Sequence, residues 1–309
     1  LLLLSISQSM KVDKLMNTNL TNLTGQEVAN DNKFGVEWEL TADGYSCKVV
    51  MSPVNKRIQI LSYDVSDYQS WINDLKHLAE SNDYGKIWVK ARAEDKKNLE
   101  ECGLQEEGVI AGYFGGQSDA HIMAVYTQGS RNERPCLEDE EKSLEAASSN
   151  LKYFDPSNPL ELPAGYTTRV FQEGDETELA RLYSEVFPTY PYPIDDPEYL
   201  LETSKTNIIY RLIFNEVGKL VAAASAETVP DQQNAEMTDF ATLPTERGKG
   251  LAQFLLSHLE EDAAAKYGTK CYYTMARIAE PGMVRVFLKN HYKINGILTN
   301  NCSIAGQFE

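Results

Sequence analysis

The chain has 309 residues and a formal net charge of -17 at pH 7, so its field repels nucleic acid and anionic membrane surfaces. Hydrophobic residues make up 42% of it, which predicts a packed core and excludes a largely disordered protein. The five cysteines include no CxxC pair and the four histidines form no HxxxH or HxH pattern, so we expect neither a disulfide framework nor a metal site. These features favour a cytoplasmic protein with reduced thiols and with no nucleic-acid or membrane partner.

Residues 1–32 begin with four leucines and continue with a stretch rich in Asn and Thr. An apolar run of four residues is far too short for a signal-peptide core or a membrane span. We therefore expect a disordered N-terminal segment over residues 1–32.

Short strands alternate with helices over residues 33–130, which predicts an N-terminal α/β domain. The predicted strands cover residues 57–63, 86–90, 109–114 and 121–126, and the predicted helices cover residues 67–81 and 94–102. Residues 131–163 are charged and Ser-rich and then contain three prolines, so we expect a linker there.

Residues 164–309 form the second predicted domain. Asp175 is a candidate N-cap, with Glu178 three positions later to complete a capping box. Strands are predicted at residues 166–171, 207–214, 220–228, 236–242, 270–275 and 296–304, and helices at residues 175–187, 251–266 and 281–290.

One sequence echo connects the two halves. The stretch YGKIWVKARAEDKKNLEECGL from Tyr84 aligns with YGTKCYYTMARIAEPGMVRVFLKNHY from Tyr267. Any two strand-helix units share some pattern, so the echo has a trivial interpretation. Alternatively, the N-terminal domain is a degenerate partial copy of the C-terminal fold.

The junction TDFATLPTERGKGLAQFLL, which starts at Thr238, joins a strand to a long helix. Gly248 and Gly250 allow a tight turn, and the N–H groups that open the helix have no intrahelical partner. Together with the helix dipole and the charges of Arg247 and Lys249, they predict an anion site suited to a pyrophosphate.

Two common phosphate motifs do not fit this junction. A P-loop requires GxxxxGK followed by Ser or Thr, and a dinucleotide fingerprint requires a third glycine where Gln253 stands. The pattern Arg-x-x-Gly-x-Ala from Arg247 to Ala252 does match, and it resembles the GCN5-related N-acetyltransferase (GNAT) superfamily from about residue 165 to the C terminus. The resemblance implies a mixed, mainly antiparallel sheet flanked by helices, and acetyl-CoA as co-substrate.

The resemblance also assigns residues to acetyl-CoA. In this superfamily the strand before the motif splays from its neighbour, and its backbone binds the pantetheine arm. That role falls to Phe240, Ala241 and Thr242. The pyrophosphate role falls to Arg247, Gly248, Lys249, Gly250, Leu251 and Ala252.

Four stretches resemble the beta-lysine N6-acetyltransferases over residues 34–309: GYFGGQSDAHIMAVY, FPTYPYPIDDPEYL, TDFATLPTERGKGLAQFLL and LTNNCSIAGQFE. This family implies direct acetyl transfer, without a covalent enzyme intermediate, to the side-chain amine of a small cationic amino acid. The product would be the osmolyte N6-acetyl-beta-lysine.

The transfer requires a neutral amine and therefore a proton acceptor. Asp239 is the first candidate, acting directly or through water, because it lies on the strand that would hold the thioester. It could equally be a polar residue on a sheet face or a salt-bridge partner. Glu236 and Glu227 are second candidates.

The loop with Tyr190, Tyr192 and Asp195 lies where this superfamily lines its acceptor pocket. The tyrosines could pack on the methylene chain of the substrate, and Asp195 could pair with its ammonium group. The alternative is a proline-stiffened connector with a helix cap at Asp195 or Asp196.

Two departures from the superfamily leave other functions open. Phe287 stands where many members have a proton-donating Tyr, and a final strand is either missing, supplied by the N-terminal half, or supplied by a second subunit, which would favour a homodimer. An acetyl-CoA-binding sensor without activity and a protein-lysine acetyltransferase are the alternatives to a small-molecule enzyme.

Overall fold

The computed structural model describes residues 23–30, 35–155, 157–158, 160–304 and 306–309. The N-terminal half contains a seven-stranded sheet in the order β1-β2-β3-β4-β5-β7-β6, in which only β4 and β5 run parallel. Its strands are β1 Thr24–Asn30, β2 Val36–Ala42, β3 Tyr45–Ser52, β4 Arg57–Val65, β5 Lys86–Arg92, β6 Gln105–Phe114 and β7 Ser118–Tyr126. Helix α1 Tyr68–Ser81 connects β4 to β5, and α2 Lys96–Glu101 connects β5 to β6.

The C-terminal half contains a five-stranded sheet in the order β12-β11-β10-β9-β8, in which only β11 and β12 run parallel. Its strands are β8 Thr167–Val170, β9 Ile208–Phe214, β10 Leu220–Val229, β11 Asn234–Thr242 and β12 Cys271–Tyr273, followed by the hairpin β13 Ser303–Ile304 and β14 Gln307–Phe308. Its helices are α4 Glu176–Val186, α5 Pro197–Ser204, α6 Leu251–Tyr267 and α7 Pro281–Lys289, and α3 Leu137–Ser148 precedes this half.

The two halves repeat one order of elements. In each, three antiparallel strands lead to a fourth, and a helix then leads to a fifth strand parallel to the fourth. A further helix and two more strands follow, and the pairing of the third with the fourth strand contains a bulge in both halves. The N-terminal domain therefore has the architecture expected of a degenerate copy of the C-terminal domain, although its last two strands join the sheet and β13 and β14 do not.

Two losses make the N-terminal copy degenerate. Helices equivalent to α4 and α5 lie between the first two strands only in the C-terminal copy. Residues 66–67 alone connect β4 to α1, whereas residues 243–250 connect β11 to α6. The glycine loop of the C-terminal copy therefore has no counterpart in the N-terminal one.

Several local predictions differ from the structure. The predicted disordered segment 1–32 lies mostly outside the described residues, but Thr24–Asn30 forms β1. Asp175 does not cap α4 through its side chain; it forms a two-pronged ion pair with Arg169, a stronger partner than a backbone N–H. The predicted linker 131–163 contains α3, which packs on α7, and the domain limits stay a prediction.

The N-terminal half supplies a neighbour for the chain after α7. Gly296 pairs with Gly108 of β6, and Ile297 N donates to Glu107 O at 2.9 Å. A Cβ atom on Gly296 would lie 2.2 Å from Glu107 O, so this approach requires glycine. The predicted strand at residues 296–304 is thus reduced to one isolated bridge with β6 and the short β13, because, of these described residues, Gly296 alone approaches β6 closely enough to pair with it.

A buried ion pair stabilises this interface. Lys86 Nζ lies 2.7 Å from Glu107 Oε2 and donates to Thr299 O at 2.8 Å, and both charged side chains are almost fully buried. Burial lowers the pKa of Lys86 to about 8, against the opposing effect of Glu107. The Tyr126 hydroxyl donates to the same Glu107 carboxylate.

We expect Lys86→Met to lower the free energy of unfolding by about 3–5 kcal/mol, because Glu107 would keep an unpaired buried charge. The double variant with Glu107→Gln should recover most of that loss, since neither member of the pair then leaves an unpaired charge. Urea denaturation of the wild type, both single variants and the double variant measures the effect. A double variant no more stable than Lys86→Met would contradict this account.

Candidate active site

The sheet of the C-terminal domain opens between β11 and β12. Asn234–Glu236 pairs with Cys271–Tyr273, and the rest of β11 has no pairing with β12. The other edge of β11 stays bonded to β10 as far as Thr242. Backbone groups of residues 237–242 on the open edge can therefore hydrogen-bond an extended ligand, as predicted for Phe240, Ala241 and Thr242.

Asp239 lies in a bulge beside this opening. Its φ is +57°, and Asp239 and Phe240 have no paired residue in β10, because the pairing shifts between Thr238 and Ala241. Its side chain is 6% exposed and accepts hydrogen bonds from the hydroxyls of Tyr190 and Ser225, each at 2.6 Å. Burial raises the pKa of the Asp239 carboxyl, and both hydroxyls oppose that rise. The carboxylate is thus more basic than an ordinary Asp.

Two further carboxylates lie on the same sheet face. Glu227 of β10 and Glu236 of β11 are directly opposite each other, in register with Ile208 and Tyr273 of the neighbouring strands. Desolvation raises the pKa of Glu227 well above its usual range, and the charges of Asp239 and Glu236 add to the rise. We call Glu227, Glu236 and Asp239 the acidic cluster, a group that suits a cationic substrate.

The predicted substrate loop divides between this cluster and the protein surface. Tyr190 contacts Asp239, and Tyr192 lines a small cavity with Arg57 of the N-terminal domain. Asp195 is exposed and, within the described residues, forms no hydrogen bond or ion pair with the acidic cluster. Asp196 caps α5, because its side chain accepts a hydrogen bond from Glu198 N. The structure therefore brings Tyr190 to the cluster, places Tyr192 beside Arg57 and leaves Asp195 at the surface.

The loop before α6 has the backbone expected of an anion site. Gly248 and Gly250 have φ values of +81° and +79°, and a Cβ on either would meet no atom within 4 Å. Within the described residues, the N–H groups of Gly248, Lys249 and Gly250 donate to no protein acceptor. The first-turn N–H groups of α6, which starts at Leu251, continue this row. A pyrophosphate therefore fits this loop.

The two cations of the loop differ in their partners. Lys249 Nζ lies 2.6 Å from Glu246 Oε2 and 2.7 Å from the Tyr166 hydroxyl, and these bonds raise the pKa of Lys249 to about 12. Arg247 is exposed and has no ion-pair partner in the part of the chain that the structure describes. Arg247 is thus the freer of the two charges.

Phe287 occupies the face of α7 that meets β11. Its ring centre lies 5.4 Å from that of Phe240 and 5.2 Å from that of Tyr292, and the side chain is buried. The Tyr292 hydroxyl donates to Glu260, and His291 Nε2 lies 2.9 Å from Phe154 O. His291 and Tyr292, which follow Phe287 in the chain, are thus both hydrogen-bonded within the protein.

A residue of the N-terminal half that the sequence pattern did not single out also lies near this site. Lys90 of β5 donates to the Tyr273 hydroxyl at 2.7 Å and opposes the rise in the pKa of Glu227. The signal was the alternation Lys86-Trp88-Lys90, which places two cations and an indole on one face of an otherwise apolar strand.

A cavity of about 420 Å³ lies between β8, β9 and the end of α6, with Phe171, Tyr210 and Lys266 in its lining, but it includes neither Asp239 nor the glycine loop. No group of three His, Cys, Asp or Glu side chains in the described ranges could hold a metal ion. Among the described helices, none is long and apolar enough to cross a membrane.

The open strand edge, the glycine loop and the order of elements define an N-acetyltransferase of the GNAT class. The model of the acetyltransferase (GNAT) family matches residues 176–292. The chain belongs to this family and is an N-acetyltransferase.

Within the family, the chain is similar to two proteins named beta-lysine N(6)-acetyltransferase. That of Methanosarcina mazei is 35% identical over 76% of this chain and 92% of its own length, and that of Methanococcus maripaludis is 31% identical over 84% and 92%. A solved tandem GNAT protein from the clavulanic acid biosynthesis pathway is 9% identical, with a TM-score of 0.44 over 78% of this chain and 73% of its own.

Proposed function

We propose that this protein transfers the acetyl group of acetyl-CoA to the side-chain amine of beta-lysine and so produces the compatible solute N6-acetyl-beta-lysine in the cytoplasm. The observation that carries the proposal is the acidic cluster beside the open edge of β11. The names of the two relatives support this choice of substrate over other amines.

The chain would hold acetyl-CoA, which supplies an activated acetyl thioester, at two places. The backbone of Phe240, Ala241 and Thr242 at the open edge would bind its pantetheine arm. The residues from Arg247 to Ala252 would bind its pyrophosphate through N–H groups and the Arg247 charge. With both substrates bound side by side in reactive geometry, less entropy is lost on reaching the transition state, which favours direct transfer.

The acidic cluster would hold and deprotonate the amine. Glu227 and Glu236 would attract the ammonium groups of the substrate. Asp239 would take the proton of the reacting amine, directly or through the Tyr190 hydroxyl, which already donates to it at 2.6 Å. Glu236 and Glu227 remain the second candidates for this role. The methylene chain would lie against Tyr190 and Tyr192, with Asp195 as a further candidate for the ammonium.

Phe287 limits how the reaction ends. Its ring has no proton to donate, so the proton for the departing sulfur would come from solvent. The buried contact of Phe287 with Phe240 instead shapes the wall of the opening.

The decisive experiment measures CoA thiol release by the purified protein with acetyl-CoA and five acceptors: beta-lysine, lysine, ornithine, spermidine and a lysine peptide. We expect the highest kcat/KM with beta-lysine. A preference for the peptide would favour a protein-lysine acetyltransferase. Binding of acetyl-CoA without turnover on any amine would favour a sensor.

A homodimer stays a prediction. A second subunit is less needed to supply the missing final strand, because β6 of the same chain already neighbours the C-terminal segment. Light scattering on the purified protein measures its mass in solution.

A further inference from the structure

Arg57 is a buried cation without a counter-ion. Its side chain is 4% exposed, and in the described ranges no carboxylate lies within ion-pair distance of it. Its Nη1 donates to Asn301 O at 2.6 Å and lies 3.1 Å from Cys302 Sγ, while its Nε has no hydrogen-bond partner among the described residues. Burying an unpaired charge is costly, and Lys86 on the neighbouring strand has Glu107 to compensate it. An anion that paired with Arg57 would therefore offset the cost of burying its charge.

A second cation and an indole N–H lie on the same face. Arg57 is in register with Lys86, and Lys86, Trp88 and Lys90 alternate along β5. The Arg57 guanidinium carbon lies 5.4 Å from the Trp88 ring centre, and Lys90 Nζ lies 5.9 Å from it. Lys90 forms no ion pair with the described part of the chain, and the buried Trp88 Nε1 has no partner. We call Arg57, Trp88 and Lys90 the cationic patch.

The cationic patch faces the acidic cluster across the domain interface. Arg57 and Tyr192 line one cavity, and Lys90 reaches Tyr273, which is in register with Glu236. Desolvation raises the pKa of Tyr192, the Arg57 charge opposes that rise, and Glu227 and Glu236 add to it. The Tyr192 phenol is thus close enough to feel both the Arg57 charge and the charges of Glu227 and Glu236. Tyr192 and Tyr273 therefore lie between the cations of the patch and the carboxylates of the cluster.

We propose that the cationic patch binds the carboxylate of the amino-acid acceptor, and that the N-terminal copy is retained as the wall that distinguishes amino acids from diamines. This inference rests on the proposed function, because it assigns one end of the same substrate. Arg57 and Lys90 would supply the charges, and Trp88 Nε1 would supply a further donor. The acidic cluster would hold the amines at the other end.

The test compares beta-lysine with 1,4-diaminopentane, which is beta-lysine without its carboxylate. For the wild type we expect kcat/KM to favour beta-lysine by about 100-fold or more, because several charge-assisted hydrogen bonds are made only with the carboxylate. Arg57→Gln and Lys90→Met should each raise KM for beta-lysine by about 10- to 100-fold and leave kcat/KM for the diamine within a factor of about three. An equal loss with both substrates would overturn the proposal.

Arg131→Gln is the matched control. Arg131 is also a buried cation that donates to backbone carbonyls, at Asn55 and Asn300, but its guanidinium lies on the Phe308 ring, outside the cationic patch. We expect it to lower stability without changing the preference between the two substrates. If Arg57→Gln does not fold, Lys90→Met decides the test, because Lys90 is partly exposed.

A wild type that acetylates neither substrate would end the proposed function but not the test of the cationic patch. Thermal stabilisation by 6-aminohexanoate, compared with hexylamine, then reads carboxylate binding directly. Stabilisation by the carboxylate compound alone, lost in Arg57→Gln and Lys90→Met, would support the inference. Equal stabilisation by the two compounds, or none, would overturn it.

Discussion

Asp239→Asn is expected to lower kcat with beta-lysine by about 10²- to 10⁴-fold, the usual contribution of a general base. Asn has the same shape and can still accept a hydrogen bond from Tyr190 or Ser225, but it cannot take a proton. The KM for acetyl-CoA should change little, because the glycine loop is untouched. Steady-state CoA release over a range of both substrates measures the two parameters separately.

The pH dependence gives a second readout. Burial raises the pKa of Asp239, so its ionised fraction, and with it the rate, should rise with pH through a higher range than for a solvated Asp. Asp239→Asn should remove this rising limb.

Asp262→Asn is the control for Asp239→Asn, because Asp262 is paired with Arg211 on the opposite face of the sheet. We expect it to affect stability and to leave kcat within a factor of about three. If Asp239→Asn retained more than about a tenth of the wild-type kcat, Asp239 would not be the base. Glu236→Gln and Glu227→Gln would then be the variants to measure.

Gly250→Val is expected to raise the KM for acetyl-CoA by about 10- to 100-fold. Gly250 has a φ of +79°, and a β-branched residue there costs about 1–3 kcal/mol or turns the loop N–H groups away from the ligand. The KM for beta-lysine should stay close to the wild-type value, since the acidic cluster lies on other residues. Isothermal titration with CoA measures the loss of binding directly.

Gly174→Val applies the same kind of strain elsewhere. Gly174 also has a positive φ, of +105°, and open space where a Cβ would lie, but it precedes α4 at the other end of the sheet. It should lower stability and leave CoA affinity unchanged. Equal CoA affinities for Gly250→Val and the wild type would contradict the assignment of the loop.

The conformation of the glycine loop could be inferred from the sequence because its causes are local. Gly248 and Gly250 supply the positive φ values, and the first N–H groups of any helix lack intrahelical partners. The apolar periodicity of α1 and α6 is likewise a local signal, and both helices lie close to their predicted bounds.

The repeat was only suggested by sequence. The echo from Tyr84 and Tyr267 left two interpretations open, because strand-helix units resemble one another. Strand order and the parallel pairs β4–β5 and β11–β12 decided between them. Strand order depends on which distant segments pair with one another. The local hydrophobic pattern predicts the strands but not their partners.

The sequence by itself determined the glycine loop, the family resemblance and most helices and strands of the C-terminal half. The tertiary structure alone decided what surrounds the acceptor. Tyr190 meets Asp239 across 49 residues of chain. Lys90 donates to Tyr273, and Arg57 lines a cavity with Tyr192, so residues of the N-terminal half contact those of the C-terminal half. Single polar residues carry no periodic signal, and their partners depend on sheet register and domain packing, so only the folded chain brings them together.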